Sequence, residues 1–183
     1  MAAMLDPAIG LTLVGCFALL FASAALHKLR DLAHFGQALR AYRLLPEGAV
    51  RVVAAAIAVL ELIVAVALLS AVTRAAAAPT GMVLLVGYSV AIAVNLMRGR
   101  RDLACGCGGA QDARPIAPWM VARNLLLALV LASVLLPWGS RILLATDALT
   151  VAAGIAVAAL LYASVDRLLG SLAARSAALR GAP

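Results

Sequence analysis

Charge is scarce in this chain of 183 residues: Asp, Glu, Lys and Arg make up 13% of it, against 66% hydrophobic residues. Soluble domains average about 25% charged and about 45–50% apolar, so a chain of this make-up cannot present a water-soluble surface. The mean hydropathy of +1.08 agrees, and an integral membrane protein is the class that remains. No stretch between the apolar runs is long enough to bury a core, which excludes a hidden soluble domain. Cysteine is also scarce, at three residues, too few for a disulfide scaffold. Histidine occurs only at His27 and His34, far from the cysteine pair, so the four ligands of a structural zinc site are not assembled and no metal is expected. No Ser/His/Asp grouping offers a hydrolytic site. The net charge of +7 does not mark a nucleic-acid binder, because the basic residues lie in short connections where they set topology and meet lipid headgroups.

The apolar runs themselves come next. Five of them, at about 7–26, 52–72, 79–97, 119–136 and 142–165, approach or exceed the roughly 20 residues that cross a hydrocarbon core of about 30 Å as a helix. The first ends near Ala22-Ser23-Ala24, which looks like a signal-peptidase site. Asp6 and the absence of basic residues before the run argue instead for an uncleaved span. Between the first two spans, about 28–44, Leu29, Leu32, Phe35, Leu39 and Tyr42 recur at three and four, while Arg30, His34, Gln37 and Arg40 fall largely off that stripe. This pattern predicts an amphipathic helix at the interface or folded back on the bundle, ended by Pro46. Glu61 interrupts the second span, where a carboxylate must be protonated, paired or facing a polar cavity. Tyr88 and Asn95 are polar groups of the third span. Asp166, Arg167, Arg175 and Arg180 mark a frayed surface tail. The expected fold is an all-α membrane protein forming one domain. Four core transmembrane helices make an antiparallel bundle, with a fifth C-terminal span outside it. Ala54, Ala58, Ala65, Gly81 and Gly87 are expected to let helices approach closely.

Five spans place the first loop, the stretch 98–118 and the tail on one side. Lys28, Arg30, Arg40, Arg43, Arg51, Arg98, Arg100, Arg101, Arg114, Arg123 and the tail arginines all belong to that side, leaving Arg74 and Arg141 on the other. The positive-inside rule then puts the amino terminus outside and the 98–118 loop and C-terminus at the cytoplasmic face of a bacterial-type inner membrane.

That loop holds Cys105-Gly106-Cys107-Gly108-Gly109. Two thiols separated by one glycine can form a disulfide, offer ligands to a metal or exchange with a partner's disulfide, and Gly106 permits the backbone geometry of so tight a ring. A ring this short should be strained, and strained disulfides are the labile, oxidising ones. Reversible thiol–disulfide exchange at Cys105 and Cys107 is the leading reading. Nearby positive charge lowers a cysteine pKa, and Arg100, Arg101 and Arg123, with Asn124 beside the last, are the candidate supports. Glu61 is expected to bond polar groups such as Tyr88 within the bundle rather than to reach Arg123. Cys16 reads as a buried structural thiol. No cofactor is expected, and the sequence marks no quinone site.

Lys28-Leu29 with Phe35, Tyr42…Leu45-Pro46, Glu61 in the second span, the Cys105–Gly109 motif and Arg123-Asn124 together resemble the methylamine utilisation protein MauE family, within a wider group of DoxX-like small membrane proteins. The likeness covers about Ala8 to Leu136. It implies a membrane-bound electron or disulfide relay in maturation of the periplasmic methylamine dehydrogenase, whose small subunit carries many disulfides. A thioredoxin-like partner and a disulfide-containing client are implied with it. The alternatives are a non-catalytic membrane assembly factor and a small-molecule transporter.

Overall fold

The computed structural model describes residues 4–103 and 115–180, with side chains as far as residue 172. It is a helical bundle: α1 (Pro7–Arg30), α2 (Leu32–Ala41), α3 (Glu47–Leu69), α4 (Arg74–Met97), α5 (Pro118–Ala132, continued by a 3-10 turn at Ser133–Leu135) and α6 (Ala145–Arg180). Five helices, all but α2, are long and apolar enough to cross a membrane. The expected all-α bundle with an outer fifth span is what forms. α1 packs along α3 and α4 along α5, α3 adjoins α4, and α6 lies against the outer face of α1.

Several boundaries move. α1 continues past Leu26 to Arg30, carrying Lys28 with it, and α4 begins at Arg74 and contains Pro79 rather than starting there. α4 thus starts five residues earlier than expected, with Pro79 as its sixth residue; there the proline forgoes one ladder bond, which membrane helices tolerate. The tail read as frayed is the continuation of α6, an unbroken helix of 36 residues. At about 1.5 Å per residue it exceeds the hydrocarbon thickness and projects beyond it.

Asp6 starts α1 by accepting the Ala8 amide at 2.8 Å, with Pro7 in the first turn. At Asp31 the backbone leaves the helical region (φ −140°, ψ 68°), and the same side chain caps α2 by accepting from the His34 amide at 2.9 Å. α2 therefore takes the second of its two expected placements and folds back on the bundle against α3. Phe35 and Tyr42 of its apolar stripe are buried, whereas Leu29, still in α1, is exposed.

The outer end of the bundle is stapled through Arg141. Its guanidinium bonds both carboxylate oxygens of Asp6 (2.7 and 3.2 Å) and both of Asp147 (2.9 and 2.8 Å), joining the start of α1 to the start of α6. Arg141, followed by the Ala8 amide, holds the Asp6 carboxyl below the usual aspartate range.

Lipid competes for apolar surface as well as a neighbouring helix does, so close packing rather than water exclusion drives association here. Ala54, Ala58, Ala65 and Gly81 all lie buried in the bundle as expected. A Cβ at Gly81 would stand 3.0 Å from Leu131 and from the ring of Phe21, whereas one at Gly87 would meet nothing within 4 Å. Gly87 thus has no role in a close approach. Gly81→Ala should accordingly lower thermal stability in detergent relative to Gly87→Ala by about 1–2 kcal/mol, although both gain the same helix propensity. Equal melting temperatures for the two variants would show that the Phe21–Leu131 contact does not limit packing.

Candidate functional site

Within this bundle a polar cluster lies at the junction of α1, α3 and α4. Glu61, 1% exposed, lies about 20 Å along α3 from its start. Lys28, two residues from the end of α1 and 2% exposed, donates from Nζ to Glu61 Oε1 at 2.5 Å. Side chains on a helix lean toward its N-terminus, which brings this lysine back into the bundle. The Tyr88 hydroxyl of α4 donates to the same oxygen at 2.6 Å. The ammonium also lies 5.1 Å from the Phe35 ring of α2 and 5.0 Å from the Tyr88 ring. One ion pair thereby ties α1, α2, α3 and α4 together. Glu61 Oε2 is buried and has no hydrogen-bond partner among the described residues.

The expected bond between Glu61 and Tyr88 is present. Lys28 was missed, because it was counted with the charges of the first loop. It is the chain's only lysine among basic residues that are otherwise all arginine, and that singularity was the available signal.

A second polar cluster joins α5 to α6. Arg123 pairs with Asp166 through a short Nη1–Oδ1 contact. Its Nε donates to Asn124 Oδ1 at 3.2 Å, and its guanidinium lies over the rings of Trp119 and Tyr162. Asp166, read from sequence as part of the tail, is the residue that closes α6 onto α5. Asn124 is 3% exposed, and its Nδ2 is buried without a partner among the described residues. Between the two clusters, walled by α1, α5 and α6, lies a cavity of about 1010 Å³ lined by both Glu61 and Asn124. Cys16 is on its wall rather than in a closed core.

Cys105, Gly106 and Cys107 lie outside the described residues, but both feet of their loop are inside. α4 ends on Gly99 (φ 75°), with Gly99 N donating to Leu96 O at 3.0 Å and Arg100 N to Asn95 O at 3.0 Å. This pair of bonds is the Schellman closure of a helix end. The Arg100 guanidinium turns back to Asn95 Oδ1 at 3.2 Å, while Arg101 is exposed. The loop is then pinched shut where Ile116 N donates to Leu103 O at 2.9 Å. Leu103 and Ile116 pack with Tyr42, Ile92 and Met120 in a small apolar cluster. Met120 also lines the large cavity, so the base of the cysteine loop abuts it. Of the sequence-predicted residues, Glu61, Arg123 and Asn124 share this cavity, and Arg100 holds the loop's entry. Among the described residues no three of His, Cys, Asp and Glu converge as metal ligands would.

The fold and these clusters define a multi-pass membrane protein with a polar site inside its bundle. The family described as methylamine utilisation protein MauE matches residues 6–138, from the cap of α1 to the tryptophan after α5. The chain belongs to this family. It is 40% identical over 162 residues to the methylamine utilization protein MauE of Paracoccus denitrificans, covering 87% of each chain. It is 36% identical over 160 residues to that of Methylorubrum extorquens, covering 87% of this chain and 85% of the relative. No solved structure matches it.

The Lys28–Glu61 pair generates a test. Removing one partner of a buried ion pair leaves a lone charge and costs about 3–5 kcal/mol, whereas replacing both with apolar groups can be neutral. Lys28→Met should therefore sharply lower the melting temperature in detergent, and Lys28→Met/Glu61→Leu should restore most of the loss. A double variant as unstable as the sum of the single ones would show that the two residues act independently.

Proposed function

We propose that this protein is a membrane thiol–disulfide exchange protein of methylamine utilisation. In this reading Cys105 and Cys107 cycle between dithiol and disulfide in support of disulfide formation in a periplasmic client such as methylamine dehydrogenase. The observation that carries the proposal is the pairing of a Cys-Gly-Cys sequence with a loop whose feet are fixed by the Leu103–Ile116 bond and whose base abuts an intramembrane cavity, largely apolar, that Glu61, Arg123 and Asn124 help to line. A reactive pair needs mobility at its own residues and a firm platform beneath them, and the clasped base supplies the platform.

Each residue then has a role. A partner's thiolate attacks the Cys105–Cys107 disulfide and frees one of the two thiols, and the partner's second thiolate resolves the mixed disulfide, so the partner leaves oxidised and the pair is left as the dithiol. Gly106 relieves the backbone between them. Arg101, exposed next to the loop, supplies positive charge that favours the thiolate. Arg100 acts through the end of α4, positioning the loop, and Arg123 with Asn124 forms the floor on the α5 side. Glu61 holds the bundle beneath. The partner is a thioredoxin-like protein, and the surrounding phase is membrane lipid. From the distribution of arginines, the amino terminus is outside and the cysteine loop and C-terminus are at the cytoplasmic face of the inner membrane. Stable disulfides are rare on that side and the client lies on the other, so the pair cycles as one step of a membrane relay that reaches the client indirectly, rather than serving as a permanent staple.

Trapping tests this. In Cys107→Ser the Cys105 thiolate still attacks an oxidised partner, the reverse of the productive step, and no second thiol of this protein resolves the mixed disulfide; in Cys105→Ser the roles reverse. One of the two variants should accumulate a reductant-sensitive mixed disulfide with a thioredoxin-like protein in intact cells, seen on non-reducing gels. A pure assembly scaffold traps nothing in either variant while both remain folded in the membrane.

A further inference from the structure

We propose that the cavity between α1, α5 and α6 binds one anionic phospholipid, with an acyl chain among the helices and the phosphate at Arg167 and His27. The proposal rests on the shape and charge of the cavity and is independent of the thiol–disulfide reading.

The cavity has a polar end and an apolar end. On the outer side, Arg141 ties Asp6 at the start of α1 to Asp147 at the start of α6. His27 follows Asp6, and Arg167 follows Asp147, by about 20 residues, or about 30 Å of helix. That is the thickness of a hydrocarbon core, so both stand at the opposite headgroup level, at the end of the bundle that carries α2. The two helices keep this register along the way, with Gly15 facing Ile155 and Gly154 facing Thr12. His27, Arg167 and Ser171 line the cavity at that level, and all three are exposed. Deeper in, its wall is Leu13, Phe17, Leu20, Leu127 and Val130. From His27 down to Leu13 the wall runs about 20 Å along α1, more than half of the apolar thickness. Leu19, 53% exposed on the same wall, marks the side open to lipid. An occupant that fits both ends is a membrane amphiphile.

Charge then selects its head. Of the acidic and basic side chains on the wall, Lys28 pairs with Glu61 and Arg123 with Asp166. Arg167 has no acidic partner among the described residues, so it gives the cavity one net positive charge. The His27 imidazole adds a hydrogen-bond donor beside it. A phosphodiester carries one negative charge, and a guanidinium meets two of its oxygens through parallel N–H bonds. A zwitterionic choline lipid brings a cation of its own to the same place and gains less. The acyl chain has its own work. α6 packs along α1 but meets α5 through Arg123, which reaches Asp166 and the Tyr162 ring. Water does not fill an apolar space of this kind, whereas a chain supplies packing between α5 and α6.

The test uses the purified full-length protein carrying Cys105→Ser and Cys107→Ser, so that Cys16, on the cavity wall, is the sole thiol. Native mass spectrometry in mild detergent should show one retained phosphatidylglycerol, preferred about tenfold over phosphatidylcholine of the same chains. Phosphatidylglycerol should also slow alkylation of Cys16 by a lipid-soluble maleimide. Glycerol phosphate, which has the head without the chain, should not. Arg167→Ala should bring phosphatidylglycerol down to the phosphatidylcholine level, and Arg167→Lys should keep most of the preference. Arg30→Ala removes an exposed charge at the same end but outside the cavity, and should change nothing. Ala159→Trp, which fills the cavity from α6, should abolish both retention and protection. Equal retention of the two phospholipids, equal effects of Arg167→Ala and Arg30→Ala, or alkylation of Cys16 indifferent to phosphatidylglycerol overturns the site, whatever the trapping experiment gives. Equal protection by oleate overturns its assignment to a phospholipid.

Discussion

A lysine and a glutamate cannot each lie alone at hydrocarbon depth, and that constraint organises this bundle. Lys28 and Glu61 meet at 2.5 Å with exposures of 2% and 1%, and Tyr88 completes the carboxylate oxygen they share. Because the lysine comes from the end of α1, the acid from the interior of α3 and the phenol from α4, a register shift in any of the three helices would strand a charge. Apolar helix faces slide past one another at little cost in lipid, whereas a buried ion pair accepts one register only. The arrangement therefore specifies more than it stabilises. It sets where α1 ends, where α2 can begin and what faces the cavity.

The second polar cluster does the same for α6. That helix has an almost wholly exposed surface and would otherwise have little to fix it. Arg141 ties its start to Asp6 and Asp147, and Arg123 meets Asp166 further along. Between these ties, Gly15 faces Ile155 and Gly154 faces Thr12 closely enough that an added Cβ would stand 2.3 and 3.0 Å away. The outer wall of the cavity is thus held at both ends and along one edge. The opposite edge leaves room between α1 and α5.

Much of this was legible in the sequence. The five spans, the outer placement of the last, the amphipathic α2 and the buried acid follow from hydropathy, three-and-four spacing and the cost of an intramembrane charge. Glu61 was legible because it is alone in its run, and Tyr88 because it is the polar group of the next span. Lys28 was hidden by position: at the end of an apolar run beside His27 and Arg30, it looks like a topology charge. Asp166 was hidden the same way, since an acid among arginines after a span resembles tail. Helix ends blur by several residues where proline sits in the opening turns, as at Pro79. The pinching of the cysteine loop by Leu103 and Ile116 has no sequence signature, because it depends on tertiary contact with Tyr42, Ile92 and Met120.

The central claim is that Cys105 and Cys107 form a working redox couple in the membrane rather than inert loop residues. Its most direct test is the thiol state of the two residues in intact cells, read by differential alkylation and mass spectrometry before and after respiration is blocked. The account predicts a mixed population in respiring cells that moves to the fully reduced dithiol when the membrane's electron acceptors fill, and returns when respiration resumes. A pair that holds one state throughout, in cells making the full-length protein, would contradict it.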